Sequence, residues 1–124
     1  MKIFDIAAAR SFQKQKQALR AEKLKMRYIT AQNAFERIVQ MLIENYKPKR
    51  IYQWGSLLDK AHFSEISDID IAVEGIKDAG AYFQLLAEAG EITDLPLDIV
   101  EMESIHILHK EMIMSKGKLI YERD

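Results

Sequence analysis

The sequence predicts a single α/β domain: a small β-sheet with helices packed on it and an extra helix at the N-terminus. Three observations lead there. The chain has 124 residues, enough for one hydrophobic core and too few for two comfortable ones. The first part, up to Tyr46, consists of good helix formers and then of apolar residues at helical spacing, with no proline. Beyond Pro48, short β-branched and aromatic runs alternate with helical stretches, the pattern of a sheet covered by helices.

Asp5 is placed to cap a helix from Ile6 to about Arg27, rich in Ala, Gln, Lys and Arg. The β-branched pair Ile29-Thr30 weakens that run, and Thr30 can start a second helix; the sequence leaves their continuity open. Phe35, Ile38, Val39, Leu42, Ile43 and Tyr46 define one buried face, and Lys47-Pro48-Lys49 ends it. Arg50-Ile51-Tyr52-Gln53-Trp54 reads as a strand stopped by Gly55. Leu57 to Phe63 is a loop or short helix. Ile69-Asp70-Ile71-Ala72-Val73 alternates as a second strand and ends near Gly75. Asp78 caps a helix expected to bury Ala79, Tyr82, Phe83 and Leu86, with Gly90 as its stop. Leu97-Asp98-Ile99-Val100 is a third strand. Ser104 to Lys116 is a helix expected to bury Ile105, Leu108 and Met112, stopped by Gly117. Lys118-Leu119-Ile120-Tyr121 completes the sheet as a short last strand.

Composition narrows the chemistry. Hydrophobic residues make up 48% and charged residues 30%, ordinary values for a soluble globular protein. Without cysteine, disulfides, thiolate zinc sites and cysteine nucleophiles are excluded, and a reducing cytoplasm is the expected location. The start, Met1-Lys2-Ile3-Phe4-Asp5, lacks the apolar run of a signal peptide, and no stretch approaches the ~20 apolar residues of a membrane span. Net charge is -1, but it is unevenly distributed. Residues 10–27 carry seven bases and Glu22 alone as an acid, a segment of +6 against -7 for the rest. This helix is first of all a solvated face. Its other readings are contact with an acidic partner protein, RNA or a second copy of the chain. Its bases do not fall on one stripe, which weighs against a dedicated nucleic-acid groove.

The informative stretch is Gly55-Ser56, then Ser67-Asp68-Ile69-Asp70, then Asp98. Residues two apart on a strand share a face, so Asp68 and Asp70 would repel each other unless a cation neutralised them. All-oxygen ligands suit Mg²⁺ or Mn²⁺. Paired carboxylates of this kind commonly hold ions for phosphoryl chemistry. Gly55 lets backbone amides approach a ligand, and the Ser56 hydroxyl can donate to phosphate oxygens. Asp98 sits in an apolar run, where an ionised side chain is costly unless paired or bound to metal. On a strand beside the one carrying Asp70, it would complete a group of three carboxylates.

These residues resemble the signature of the DNA-polymerase-β-like nucleotidyltransferase superfamily: Gly-Ser, then Ser-Asp-x-Asp, then a third Asp on a strand. The short chain is most similar to the minimal nucleotidyltransferases of bacteria and archaea. The resemblance covers residues 29–124 and leaves residues 1–28 as a basic helical extension. It implies a nucleotidyltransferase fold with a small mixed sheet. It also implies metal binding and catalysis by Asp68, Asp70 and Asp98, with Asp98 helping to deprotonate the acceptor hydroxyl. Gly55, Ser56, Ser67 and Lys60 would bind the nucleotide, with Ser67 supporting the acidic strand. The implied reaction moves a nucleoside monophosphate, most simply AMP from ATP, to a hydroxyl with release of pyrophosphate. Minimal relatives are often antitoxins paired with a small helical HEPN-type protein that they adenylylate or block. A catalytically silent module that only masks such a partner is the competing expectation. The sequence departs from the family where a small-Arg-Gly turn usually follows Gly-Ser: here Leu58-Asp59-Lys60-Ala61 stands, with Lys60 in place of the arginine and no glycine.

The remaining candidates have plainer readings. His106 and His109 lack an acidic or cysteine partner at zinc-site spacing and read as a surface or partly packed pair. His62 reads as loop surface. Tyr52 and Trp54 read as core, and Met102, Met112 and Met114 as fillers of core or interface gaps.

Overall fold

The computed structural model describes residues 5–124. One helix, α1 (Ile6–Tyr46, 41 residues), runs unbroken through Ile29-Thr30. At 1.5 Å per residue it is about 60 Å long. The Asp5 carboxylate caps it, accepting a hydrogen bond from the Ala8 amide at 3.1 Å. Lys47, at φ 46°, turns the chain out of the helix as its amide reaches the Leu42 carbonyl. Burial along α1 is lopsided. From Asp5 to Lys23 every residue but Ala9 is exposed, whereas Ala31, Ala34, Phe35, Ile38, Val39 and Leu42 are buried. The β-branched pair costs little helix propensity beside the packing of the following turns, so tertiary contact carries the helix across it.

Strands β1 (Arg50–Trp54), β2 (Ile69–Glu74), β3 (Leu97–Glu101) and β4 (Lys118–Glu122) form one sheet in the order β3-β2-β1-β4. β1 is antiparallel to β2 and β4, and β2 is parallel to β3, so the sheet is mixed. The parallel pair is joined by α2 (Ala79–Ile92), and α3 (Ile107–Lys116) precedes β4. Two short 3-10 turns, Ser56–Leu58 and Lys60–His62, follow β1.

Strand alternation divides the core. Ile51, Ile69, Ile71, Val73 and Ile99 face α1 and α2 in the main cluster, with Leu42, Ile38 and Leu85. Tyr52, Ala72, Met102 and Ile113 form a smaller cluster under α3, with Trp54 and Val100 against it.

Two helix faces differ from expectation. In α2, Asp78 caps as expected, accepting from the Ala81 amide at 2.8 Å. The buried residues are Leu85 and Ala89; Ala79 and Phe83 are exposed, and Gly90 lies inside the helix. The packed stripe is Tyr82, Leu85, Leu86, Ala89 and Ile92, a helical repeat that Phe83 does not join. In α3 the helix starts at Ile107, not Ser104, because the His106 ring accepts from the Leu108 amide and caps it. Ile113 is its buried residue, while Leu108 and Met112 are exposed and Ile105 only packs against the small cluster. Met102 fills core, while Met112 and Met114 are exposed.

Candidate active site

The parallel register sets Ile69 opposite Leu97 and Asp70 opposite Asp98. Adjacent strands lie about 4.8 Å apart, so these two carboxylates leave the same face as neighbours. The face is the one under α3, since Asp70 alternates with Ile69 and Ile71, which point at α1 and α2. Asp70 is only 8% exposed, although no Lys, Arg or His among the described residues pairs with it. Burial, then Asp98, then Asp68 push its carboxyl up to about 7. No ion pair among the described residues offsets the negative charge that gathers here.

Asp68 lies just before β2, at the end of a turn that Ser67 closes. The Ser67 hydroxyl accepts from the Ser64 amide at 2.8 Å, and the Ser67 amide donates to the Ser64 carbonyl at 3.2 Å. The Ile69 amide donates to the Pro96 carbonyl at 2.9 Å, tying this turn to the start of β3. Arg27 of α1 donates to the Ser67 carbonyl at 3.4 Å. Arg27 belongs to the basic stretch read as a solvated face, yet it is partly buried against the acidic turn. The signal for it was present: Leu24, Tyr28 and Ala31 continue the packed stripe of α1, and Arg27 borders that stripe.

Gly55 abuts Asp70. Trp54 pairs with Asp70 across β1 and β2, and Gly55 follows it at φ 82°. A Cβ built on Gly55 would lie 2.0 Å from the Asp70 Oδ2 atom, so only glycine fits. Ser56 begins the 3-10 turn, whose Leu58 amide donates to the Gly55 carbonyl at 3.2 Å. The Gly-Ser bend and the paired aspartates thus share one edge of the sheet. Lys60 goes elsewhere. Its ammonium sits 5.7 Å from the Tyr28 ring centre, on a cavity of about 240 Å³ between α1 and the loop. Among the described residues no histidine pairs with Asp68, Asp70 or Asp98: His109 packs edge-on to Trp54, His106 caps α3, and exposed His62 hydrogen-bonds Asp59.

Among the described residues, no three His, Cys, Asp or Glu side chains form a ready-made ion cage. The donor chemistry nonetheless fits a hard divalent ion: a buried carboxylate, a register-paired second and a third two residues upstream, all oxygen ligands. No helix among the described residues is long and apolar enough to cross a membrane.

A mixed four-stranded sheet that sets a glycine-serine bend against paired aspartates has the construction of a nucleotidyltransferase domain. The chain belongs to that family: the model described as "Polymerase beta, Nucleotidyltransferase" matches residues 36–124. No curated protein sequence matches the chain. Among solved structures it is similar to a toxin-antitoxin complex with AMP-PNP, at 26% identity and TM-score 0.60, over 73% of this chain and 74% of that one. It is also similar to the toxin-antitoxin MntA-HepT, at 25% identity and TM-score 0.56, over 74% and 73% of the two chains. A tri-AMPylated Shewanella oneidensis HEPN toxin in complex with MNT antitoxin gives 25% identity and TM-score 0.56, over 75% and 73%.

Proposed function

We propose that this protein transfers AMP from ATP to a hydroxyl on a HEPN-type partner protein, as the antitoxin of a toxin-antitoxin pair. The reading rests chiefly on the register that sets Asp70 beside Asp98, with Gly55 against the Asp70 carboxylate. Mg²⁺ or Mn²⁺ held by Asp68, Asp70 and Asp98 would supply neutralisation of phosphate charge and acidification of the acceptor hydroxyl. Gly55 and Ser56 bind the terminal phosphates through backbone amide and hydroxyl donors. Ser67 holds the turn that presents Asp68. Asp98 takes the proton of the acceptor hydroxyl, whose oxygen bonds to the α-phosphorus as the bond to the β-phosphate bridging oxygen breaks. Pyrophosphate leaves. Positioning and charge complementarity, rather than a covalent intermediate, lower the barrier. The complexes of similar structures with HEPN toxins support a partner that supplies the acceptor side of the site.

The test has two readouts. ATP with Mg²⁺ should raise the melting temperature of the wild type and leave Asp68→Asn/Asp70→Asn unchanged. Labelled ATP should label the partner encoded beside this chain, with a drop of about 10³-fold or more in the double variant. Nucleotide-independent melting of both forms, with tight partner binding, would favour a silent module that only masks its partner.

A further inference from the structure

The strand order places a second basic residue where Lys60 was expected to act. Across the edge that carries the acids, β3 presents Asp98, β2 presents Asp70, β1 ends at Trp54 just before Gly55, and β4 begins beyond it. β4 is antiparallel to β1 with Lys118 opposite Gln53. The pairing stops there, and Gly117 and Lys116, the last residue of α3, immediately precede β4, so they lie at the end of β1 that Gly55 follows. The packing agrees. Gly117 lies so close to the Gln53 carbonyl that a Cβ there would meet it at 2.8 Å. Lys116 lines a cavity of about 390 Å³ together with Trp54, Gly55, Leu58, Asp59 and Met112.

We infer that Lys116, at the end of α3, binds the terminal phosphates of the nucleoside triphosphate. The inference rests on the nucleotide-transfer reading above and adds the cation that the altered loop lacks. Charge then runs in order along the edge: carboxylates on β3 and β2, the Gly-Ser bend, and an ammonium on the far side. A triphosphate whose α-phosphate lies at the acids and whose tail passes the bend ends at Lys116. Among the described residues Lys116 makes no ion pair. Asp59, the acid in the same cavity, is already engaged by the Ala61 amide at 3.0 Å and by His62. Lys118 cannot substitute, because its pairing with Gln53 turns it to the α1 face of the sheet. Lys60 is held over Tyr28. A lysine in the last turn of a helix ordinarily serves the carbonyls there. That role would show in stability and not in nucleotide affinity.

Calorimetric titration with AMP-PNP and Mg²⁺, and separately with AMP, distinguishes the two. Lys116→Gln should weaken AMP-PNP binding about ten-fold, the loss of one charge-assisted contact, and leave AMP binding unchanged. Lys116→Arg should restore most of the affinity. Lys118→Gln, with the same change in net charge, should stay within about two-fold of wild type, which sets aside a general electrostatic effect. Equal affinity of Lys116→Gln and wild type for AMP-PNP overturns the assignment. So does a loss at Lys60→Gln with none at Lys116→Gln. A wild type that binds neither ligand overturns the nucleotide-transfer reading itself, and the role of Lys116 falls with it.

Discussion

The two faces of the sheet are built for different work. The face toward α1 and α2 gathers fifteen buried residues into one cluster, all aliphatic or aromatic. The face toward α3 has a smaller apolar cluster of Tyr52, Ala72, Met102 and Ile113, and at its edge the buried Asp70 stands beside Asp98. One face makes the fold; the other is left short of apolar cover, and paired carboxylates stand on it. A strand with period two serves both: Ile69, Ile71 and Val73 join the main cluster, while Asp70 between them stands on the opposite face beside Asp98. The difference implies that stability and activity can be damaged separately by substitutions one residue apart.

The largest expected stability effect falls on the apolar face. Leu42 is fully buried between α1 and the sheet, and Leu42→Ala should cost on the order of 3–4 kcal/mol in denaturant unfolding. Met102→Ala, in the smaller cluster, should cost about 2 kcal/mol, since a flexible side chain at a thinner layer leaves room to collapse. Equal losses at the two sites would break the contrast between the faces.

A second effect sharpens it on the acidic side. The Asp70 carboxyl is pushed up to about 7 in the folded protein, from an ordinary unfolded value near 3.8. Between those values the folded state binds the extra proton, so stability declines as pH rises through this window. In chelator, the wild type should therefore melt lower at pH 8 than at pH 5. Asp70→Asn should flatten that slope and gain roughly 2 kcal/mol at pH 8, while abolishing transfer. Adding Mg²⁺ at pH 8 should raise the melting temperature of the wild type and not of the variant. A variant less stable than wild type at pH 8 in chelator would show that the ionised carboxylate is well accommodated without a cation.

How much of this could be read from the sequence follows the range of each signal. The four strands and the caps at Asp5 and Asp78 are local, set by β-branched runs and short polar side chains, and the structure shows them where the pattern put them. The buried faces of α2 and α3 were misread because short helices with apolar residues all round have no single phase until the sheet chooses one; Phe83 and Leu108 are as apolar as Leu85 and Ile113. The continuity of α1 depends on packing after Ala31, which propensity at Ile29-Thr30 does not contain. At the site, the spacing of Asp68 and Asp70 and the apolar setting of Asp98 were legible, whereas their pairing needed the β2-β3 register. Arg27 and Lys116 approach the edge from distant parts of the chain, and Lys60 turns toward α1, none of which spacing along the chain encodes.

The smallest effect concerns the exception within the apolar face. Gln53 lies opposite Ile71 in β1 and points toward the main cluster by strand alternation. It is 6% exposed, and its Nε2 donor is buried with no hydrogen-bond partner. An unsatisfied buried donor costs on the order of 1–3 kcal/mol relative to one that keeps its partner, and an apolar side chain of similar length does not incur that cost. Gln53→Leu should therefore raise stability by about 1 kcal/mol in denaturant unfolding, with an unchanged dependence on denaturant concentration. Because Gln53 faces away from Asp70, the pH slope in chelator should persist in this variant, which separates the two faces by a second measure. A lower midpoint for Gln53→Leu would mean that the amide is satisfied in solution, by water or by a bound partner. The face toward α1 would then carry a polar requirement of its own.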